Sequence, residues 1–172
     1  MAWRAWMLWY RRRAAEPVLL RPIVGSTRPW PPAEPARATC VRPKLHRAPF
    51  PHCTCGLYAT RSEELLRRTR NPAVVGTVAL WGRVIEHELG YRAEYAYPQR
   101  LQLVCYLCFF TWGVHGTHPT VAVQPARGQL TPLCPEHLDL SARYGFPTQR
   151  WMPADEVEGA LLAAYRVDLL RR

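Results

Sequence analysis

The longest run of strand-forming residues lies between residues 74 and 101 and contains no cluster of turn residues. In its first part small or apolar side chains occupy both alternating sets, which predicts a strand covered on both faces. Its second part alternates apolar with polar residues and directs Ile85 and Leu89 inward. Another alternating segment begins after Gly90 and is expected to end at Pro98. The run therefore predicts an antiparallel hairpin on which the rest of the fold is built.

Shorter patterns predict the other regular elements. Strand-forming residues, capping residues and apolar stripes at helical spacing mark their positions. Six elements are expected: strands at 2–10, 17–24 and 101–104, and helices at 60–70, 135–144 and 153–170. Nine of the 17 prolines fall between Pro17 and Pro51. Because proline is excluded from helix interiors and central strands, residues 25–56 are expected to form a loop.

A zinc site is predicted from two pairs of residues in the second half of the chain. Cys105 and Cys108 are separated by two residues, a spacing that lets both sulfur atoms reach one ion. Cys134 and His137 lie three residues apart at the start of a predicted helix and project from the same side. Three thiolates and one imidazole complete a tetrahedral site and leave no position for a catalytic water. The pattern favours one structural zinc over unmetallated thiols and a surface histidine.

The order of parts around these residues is a cysteine knuckle, a hairpin and then a helix that supplies the last two ligands. The hairpin is expected to carry Phe110, Trp112 and Val114 on one arm and Val121 and Val123 on the other. This order, over residues 103–145, resembles the treble-clef zinc finger. The predicted fold class is accordingly α+β: a small antiparallel β domain with one packed helix, then a treble-clef-like zinc module and a C-terminal helix. The expected domains are residues 1–101 and 102–172.

A second group of metal ligands lies within or just after the proline-rich loop. Zinc bound by Cys40, His46, Cys53 and Cys55 would cross-link this loop, and the chain would then hold two ions. The single residue between Cys53 and Cys55 departs from the usual spacing of zinc ligands. A catalytic thiol with His46 or His52 as its base is one alternative. Buried apolar cysteines with no chemical role are the other.

Charge along the chain is unevenly distributed. Arginine supplies 22 of the 23 basic residues, and the net charge is +10. Residues 1–50 hold ten basic and two acidic side chains, whereas residues 151–172 have a net charge of −1. A basic half attracts nucleic acid or an acidic protein partner, although a solvated surface with arginine from GC-rich coding explains the same composition. The candidate polyanion-binding residues are Arg11, Arg12, Arg13, Arg67, Arg68 and Arg70.

The polar residues near the hairpin turn allow an enzymatic interpretation. His87 lies between Glu86 and Glu88, and a histidine near carboxylates can act as an acid or base. Neighbouring residues of a strand point to opposite faces, so these carboxylates do not both orient His87. Cross-strand ion pairs between Arg92 and Glu86 or Glu88 explain the same charges without catalysis. No catalytic residue is predicted.

Targeting and membrane signals are absent from the sequence pattern. No run of 18 apolar residues occurs, so no transmembrane segment is predicted. The apolar residues 1–10 come before three arginines, which is the reverse of a secretory signal. These features favour the cytoplasm, where paired cysteines more often bind metal than form disulfides.

Three motifs between residues 28 and 101 occur in fixed order: Trp30-Pro31, CTCGLYA at residues 53–59, and WGRVIEHELGYRAEYA at residues 81–96. Their combination resembles a family of uncharacterised proteins from bacteria with GC-rich genomes. The resemblance implies a shared fold and adds no reaction. Two functions therefore stay open: a zinc-stabilised, basic, non-enzymatic binding protein, or an enzyme of unknown reaction that uses His87, Glu88 and Arg92 or a thiol of Cys53 or Cys55.

Overall fold

The computed structural model describes residues 1–11, 18–24, 28–41, 45–146, 148 and 150–170. Within them, ten strands form one sheet, which is antiparallel except where β10 pairs with β6. The strands are β1 (Ala2–Tyr10), β2 (Val18–Pro22), β3 (Ala36–Arg37), β4 (Leu57–Thr60), β5 (Val74–His87), β6 (Gly90–Leu103), β7 (Val121–Ala126), β8 (Gln129–Leu133), β9 (Arg150–Pro153) and β10 (Asp168–Leu169). The α-helices are α1 (Tyr106–Trp112), α2 (Pro135–Arg143) and α3 (Ala154–Tyr165).

None of the helices in the described ranges is long and apolar enough to cross a membrane. The sheet includes strands from both sides of residue 101, because β1 pairs with β8 and β6 pairs with β10. The division of the chain at residue 101 stays a prediction.

The predicted central hairpin is confirmed, with β5 and β6 paired from Val74 opposite Leu103 to His87 opposite Gly90. The expected end of the second strand at Pro98 is wrong. A register shift beside Val78 places one unpaired residue after Pro98, and this irregularity lets the strand continue to Leu103 although proline offers no N–H group. The strand predicted at 101–104 is therefore the last part of β6.

Four strands close into a ring. The strand β1 pairs with β5, β5 with β6, β6 with β4, and β4 with β1 through the single pair Trp3 and Thr60. Close approach of two backbones occurs where Gly76 of β5 lies opposite Leu101 of β6. A Cβ atom at Gly76 would lie 2.0 Å from the carbonyl oxygen of Arg100. Only glycine fits this contact without a shift of the strands.

The main core lies between the sheet and α3. Trp6, Leu8 and Leu20 are fully buried, and Tyr165 at the end of α3 is buried with them. The Tyr165 hydroxyl donates to the carbonyl oxygen of Trp30 at 2.8 Å and accepts from the amide of Leu20 at 3.0 Å. Burial raises the pKa of Tyr165, so this phenol stays protonated in both hydrogen bonds.

Three predicted helical or hairpin segments differ from the structure. The helix expected at 60–70 is only a 3-10 helix at Glu64–Arg68, because Thr60 pairs with Gly90 in the sheet. The helix expected at 153–170 ends at Tyr165, where Arg166 takes the left-handed conformation and the chain turns into β10. The third difference is at residues 106–112, which form α1 instead of a hairpin arm.

The physical reason for α1 is the spacing of its buried residues. Cys105, Cys108 and Phe109 are three and four residues apart, which places them on one face of a helix. All three are buried. The hairpin that follows is formed by β7 and β8, so its arms are Val121–Ala126 and Gln129–Leu133.

Candidate metal centres

The helix cluster consists of Cys105, Cys108, Cys134 and His137. Cys105 immediately precedes α1, and Cys108 lies in the first turn of that helix. Cys134 immediately precedes α2, and His137 lies in its first turn. The two helix starts thus each supply one pair of donors. The helix start at Cys134 and His137 agrees with the prediction, whereas a knuckle was predicted at Cys105 and Cys108. All four donor atoms lie within 4.8 Å of one another.

The separations within the helix cluster fit a tetrahedral ion. The sulfur atoms of Cys108 and Cys134 are 3.7 Å apart. Nδ1 of His137 lies 3.5 Å from Sγ of Cys105 and 3.2 Å from each of the other two sulfur atoms. Zinc–sulfur bonds of about 2.3 Å in a regular tetrahedron require sulfur–sulfur separations of about 3.8 Å. The four side chains can therefore hold one metal ion of zinc's size.

Burial controls the ionisation of the thiols in the helix cluster. All three cysteines of the cluster are buried. Burial raises the pKa of Cys105 and raises that of Cys134 to about 12, while hydrogen bonds from backbone amides, including those of Cys108 and His137, act in the opposite direction. Without a cation the thiols of Cys105 and Cys134 stay protonated at neutral pH. A divalent cation favours the thiolates by direct charge attraction, and its binding releases their protons.

The loop cluster consists of Cys40, His46, Cys53 and Cys55, and its four donor atoms also lie within 4.8 Å of one another. Sγ of Cys40 lies 3.9 Å from Sγ of Cys53, and Sγ of Cys55 lies 3.4 Å from Nε2 of His46. A hydrogen bond from the amide of Cys55 lowers the pKa of Cys53, whereas burial raises that of Cys55. The structure brings together all four residues predicted for a second ion.

Arg92 holds the loop cluster against the sheet. Its guanidinium donates to the carbonyl oxygens of Phe50, Cys53 and Cys55. Only 5% of Arg92 is exposed. Gly56, which follows the last cysteine, has a φ of +135°, and a Cβ atom there would lie 3.0 Å from Cβ of Arg92. Arg92 therefore fixes the backbone that presents two of the four donors.

A salt bridge beside Arg92 fixes the other side of the loop. Arg47 binds the carboxylate of Glu94 at 2.5 Å. Glu94 is 5% exposed, and hydrogen bonding to Arg47 opposes its desolvation and lowers its pKa. Arg92 and Glu94 are two polar residues on one face of β6. Polar residues two positions apart on a strand are a sequence signal that this face of the strand contacts a polar partner.

No match to this chain was found among protein-family models, curated proteins or solved structures. The resemblance to a family from GC-rich bacteria stays a prediction.

The charged residues near the hairpin turn form contacts that differ from the predicted ones. Glu86 pairs with Arg61 at 2.5 Å, and Arg92 donates from Nε to Nε2 of His87 at 2.8 Å. The expected ion pair between Arg92 and Glu86 or Glu88 is therefore wrong. In the described ranges no hydrogen bond or ion pair joins Glu88 to His87 or Arg92. Within the described residues, no carboxylate orients the imidazole of His87.

The predicted polyanion-binding arginines lie in two separate places. Arg67, Arg68 and Arg70 are exposed on and beside the 3-10 helix. Leu66 of that helix packs in one small cluster with Ala5 of β1. Arg11 is also exposed, but it follows Ala5 by six residues of extended chain, a span of about 20 Å. The other two candidates, Arg12 and Arg13, lie outside the described residues.

Proposed function

We propose that this protein is a zinc-stabilised, non-enzymatic binding protein with one structural zinc ion in each cluster. The observation that carries the proposal is the meeting of three sulfur atoms and one imidazole nitrogen in both places. Zinc favours this donor set at four-coordinate sites. Four protein ligands leave no open position for water or substrate, which supports a structural role for both ions.

The same proposal extends to a treble-clef-like module over residues 103–145. Its support is the order of parts, since the first pair of ligands is followed by the β7–β8 hairpin and then by α2 with the second pair. At the position of α1, a treble clef has only a knuckle and a short connection. Helix α1 is therefore a departure from the treble-clef pattern. In this proposal the loop cluster forms a second, independent cross-link, held against β6 by the contacts of Arg92 and Glu94.

Removal of one sulfur from the loop cluster tests whether this cluster binds zinc. We expect purified wild-type protein to contain two zinc ions per chain and the Cys53→Ser variant to contain one. A hydroxyl is a weak zinc ligand compared with a thiolate, so the loop ion is lost while the helix cluster keeps its ion. Metal analysis by mass spectrometry gives the stoichiometry.

A matched control for that experiment is Thr54→Ala, which alters the exposed residue between the two cysteines and removes no donor. This variant should keep two ions. Substitution of cobalt for zinc should add absorption bands of a tetrahedral thiolate site in both places. One zinc ion in both the wild type and Cys53→Ser would contradict the loop site, and none in the wild type would contradict both sites.

The partner that the basic surface favours is nucleic acid, bound through its phosphates. Support comes from the net charge of +10 and from the three exposed arginines at residues 67, 68 and 70. If each contacts one phosphate, alanine at all three positions should reduce the slope of log affinity against log salt by about 2.7, since each contact contributes about 0.9. Fluorescence anisotropy with a short duplex over a series of salt concentrations measures the slope.

Alanine at the exposed residues Arg100, Arg127 and Arg143 removes the same charge elsewhere and is the matched control. This control should leave the slope unchanged. An equal fall in both triple variants would show that net charge alone attracts the nucleic acid. Absence of binding at low salt would leave an acidic protein partner as the function of this surface.

A further inference from the structure

A cavity of about 800 Å³ opens between β1, β4, the start of β6 and loop residues 51–54. Its size falls within the range of small-molecule sites, about 300–1,000 Å³. Two arginines and two histidines line it, and no acidic side chain does so within the described residues. The arginines are Arg4 and Arg92, and both are among the most buried charged side chains in the described ranges.

Arg4 is a buried cation without a counter-charge among the described residues. It is 8% exposed, and one Nη atom donates to the carbonyl oxygen of Tyr58. The guanidinium carbon lies 4.9 Å from the ring centre of Trp30. Its buried Nε has no acceptor among the described residues. Desolvation lowers the pKa of Arg4 to about 10, which still leaves it charged at neutral pH.

An uncompensated buried charge is costly, and proteins ordinarily pair it with an opposite charge. Of the 13 acidic residues in the chain, only Glu16 falls outside the described residues. The described carboxylates that form ion pairs do so with Arg47, Arg61, His115 and His118. None of the described carboxylates pairs with Arg4. The cation is thus available to an anion that comes from outside the chain.

The second arginine of the cavity lies on β6, the strand paired with the β4 residue that Arg4 contacts. Tyr58, whose carbonyl accepts from Arg4, is directly opposite Arg92 in the β4–β6 pairing. Arg92 uses Nε and one Nη atom for His87 and the loop carbonyls. In the contact with His87, Arg92 is the donor and Nε2 of the histidine is the acceptor. This part of the cavity therefore presents cations and hydrogen-bond donors, the groups that bind an oxyanion.

The remaining walls of the cavity suit the apolar part of a ligand. Trp3, Tyr91 and Leu89 line the cavity together with aliphatic residues. An inorganic ion would leave these walls unused, whereas an organic anion contacts both the donors and the rings. We propose that this cavity binds a small organic anion whose carboxylate or phosphate group is held by Arg4 and Arg92 and whose apolar part lies against Trp3 and Tyr91. This inference goes beyond the metal sites and needs no reaction.

The experiment titrates isotope-labelled, zinc-loaded full-length protein with benzoate, phenyl phosphate and neutral benzamide at constant ionic strength. We expect saturable shifts of the amide signals of Gly90 and Tyr91 and of the Nε–H signal of Arg4 with at least one anion. Benzamide, which has the shape of benzoate without the charge, should bind at least about tenfold more weakly. The stronger of the two anions identifies the oxyanion class.

Two variants place the anion in the cavity. Arg4→Met should weaken binding of the preferred anion at least about tenfold, whereas Arg143→Met, at an exposed arginine outside the cavity, should not change it. If Arg4→Met does not fold, Leu89→Glu serves instead, because Leu89 is 50% exposed at the cavity wall and a carboxylate there repels the anion.

Zinc content measured on each sample separates loss of a metal from loss of the anion. Equal affinity for benzoate, phenyl phosphate and benzamide would overturn the proposal. Shifts confined to another surface, or equal weakening by Arg143→Met, would also overturn it.

Discussion

Serine in place of Cys134 is expected to remove zinc from the helix cluster and to lower the free energy of unfolding by at least about 4 kcal/mol. Zinc binding by small structural sites contributes on the order of 10 kcal/mol, which is comparable to the whole stability of a domain. Cys134 is 1% exposed, so the variant also leaves a buried hydroxyl in place of a metal ligand. Denaturant unfolding followed by tryptophan fluorescence measures the loss.

A chelator gives an independent test of the same ion. Hydrogen exchange in its presence should increase first across residues 103–145, because the ion joins the starts of α1 and α2.

All six cysteines belong to one cluster or the other, so the matched control uses histidine. His137→Ala should reproduce the Cys134→Ser loss, and His115→Ala, an exposed side chain bound to Glu63, should not. Equal stability of all these variants would contradict the metal site.

Alanine in place of Gly76 should destabilise the protein by about 3 kcal/mol or more. The added Cβ atom would meet the carbonyl oxygen of Arg100 at 2.0 Å. That oxygen belongs to a backbone held between paired strands, so the contact is relieved only by separation of β5 from β6. The midpoint of denaturant unfolding, together with the slope of the transition, measures the change.

Gly159→Ala is the matched control for this substitution. Gly159 is an exposed residue of α3, and a Cβ atom there has no neighbour within 4 Å. Alanine favours the helix over glycine, so this variant should gain about 0.5–1 kcal/mol. A loss of less than 1 kcal/mol in Gly76→Ala would show that the two strands move apart more easily than the structure indicates.

The hairpin and the helix cluster were the parts of this protein that short sequence patterns predict well. Alternation over residues 74–97 predicts paired strands because successive side chains of a strand point to opposite faces of the sheet. The pattern can therefore be recognised from neighbouring residues alone. The helix cluster depends on two local spacings, Cys105 with Cys108 and Cys134 with His137. In both cases the decisive information lies within a few residues. Two features were missed here, the continuation of β6 past Pro98 and the helical character of α1, although Cys105, Cys108 and Phe109 have helical spacing.

Other features depend on residues that are far apart in the chain. The ring closes through Trp3 and Thr60, and no local pattern in either segment specifies that pair. The pairing of Thr60 also shortened the expected helix, because tertiary contacts override weak helical preference. The four donors of the loop cluster meet only because Arg92, more than thirty residues away, binds the carbonyl groups of Cys53 and Cys55. For this reason, the spacing of the residues in the sequence did not decide whether the loop cluster binds metal.

The position of β1 within the sheet affects how the chain is made. This strand precedes the other described strands in the chain, yet it pairs with β2, β4, β5 and β8, the last of which ends at Leu133. Trp6 and Leu8, which are fully buried in the finished protein, have no complete set of partners until most of the chain has left the ribosome. Pairings between such distant segments are slow to form and leave strand edges open to other chains. The topology therefore delays the complete burial of β1 until β8 has been synthesised.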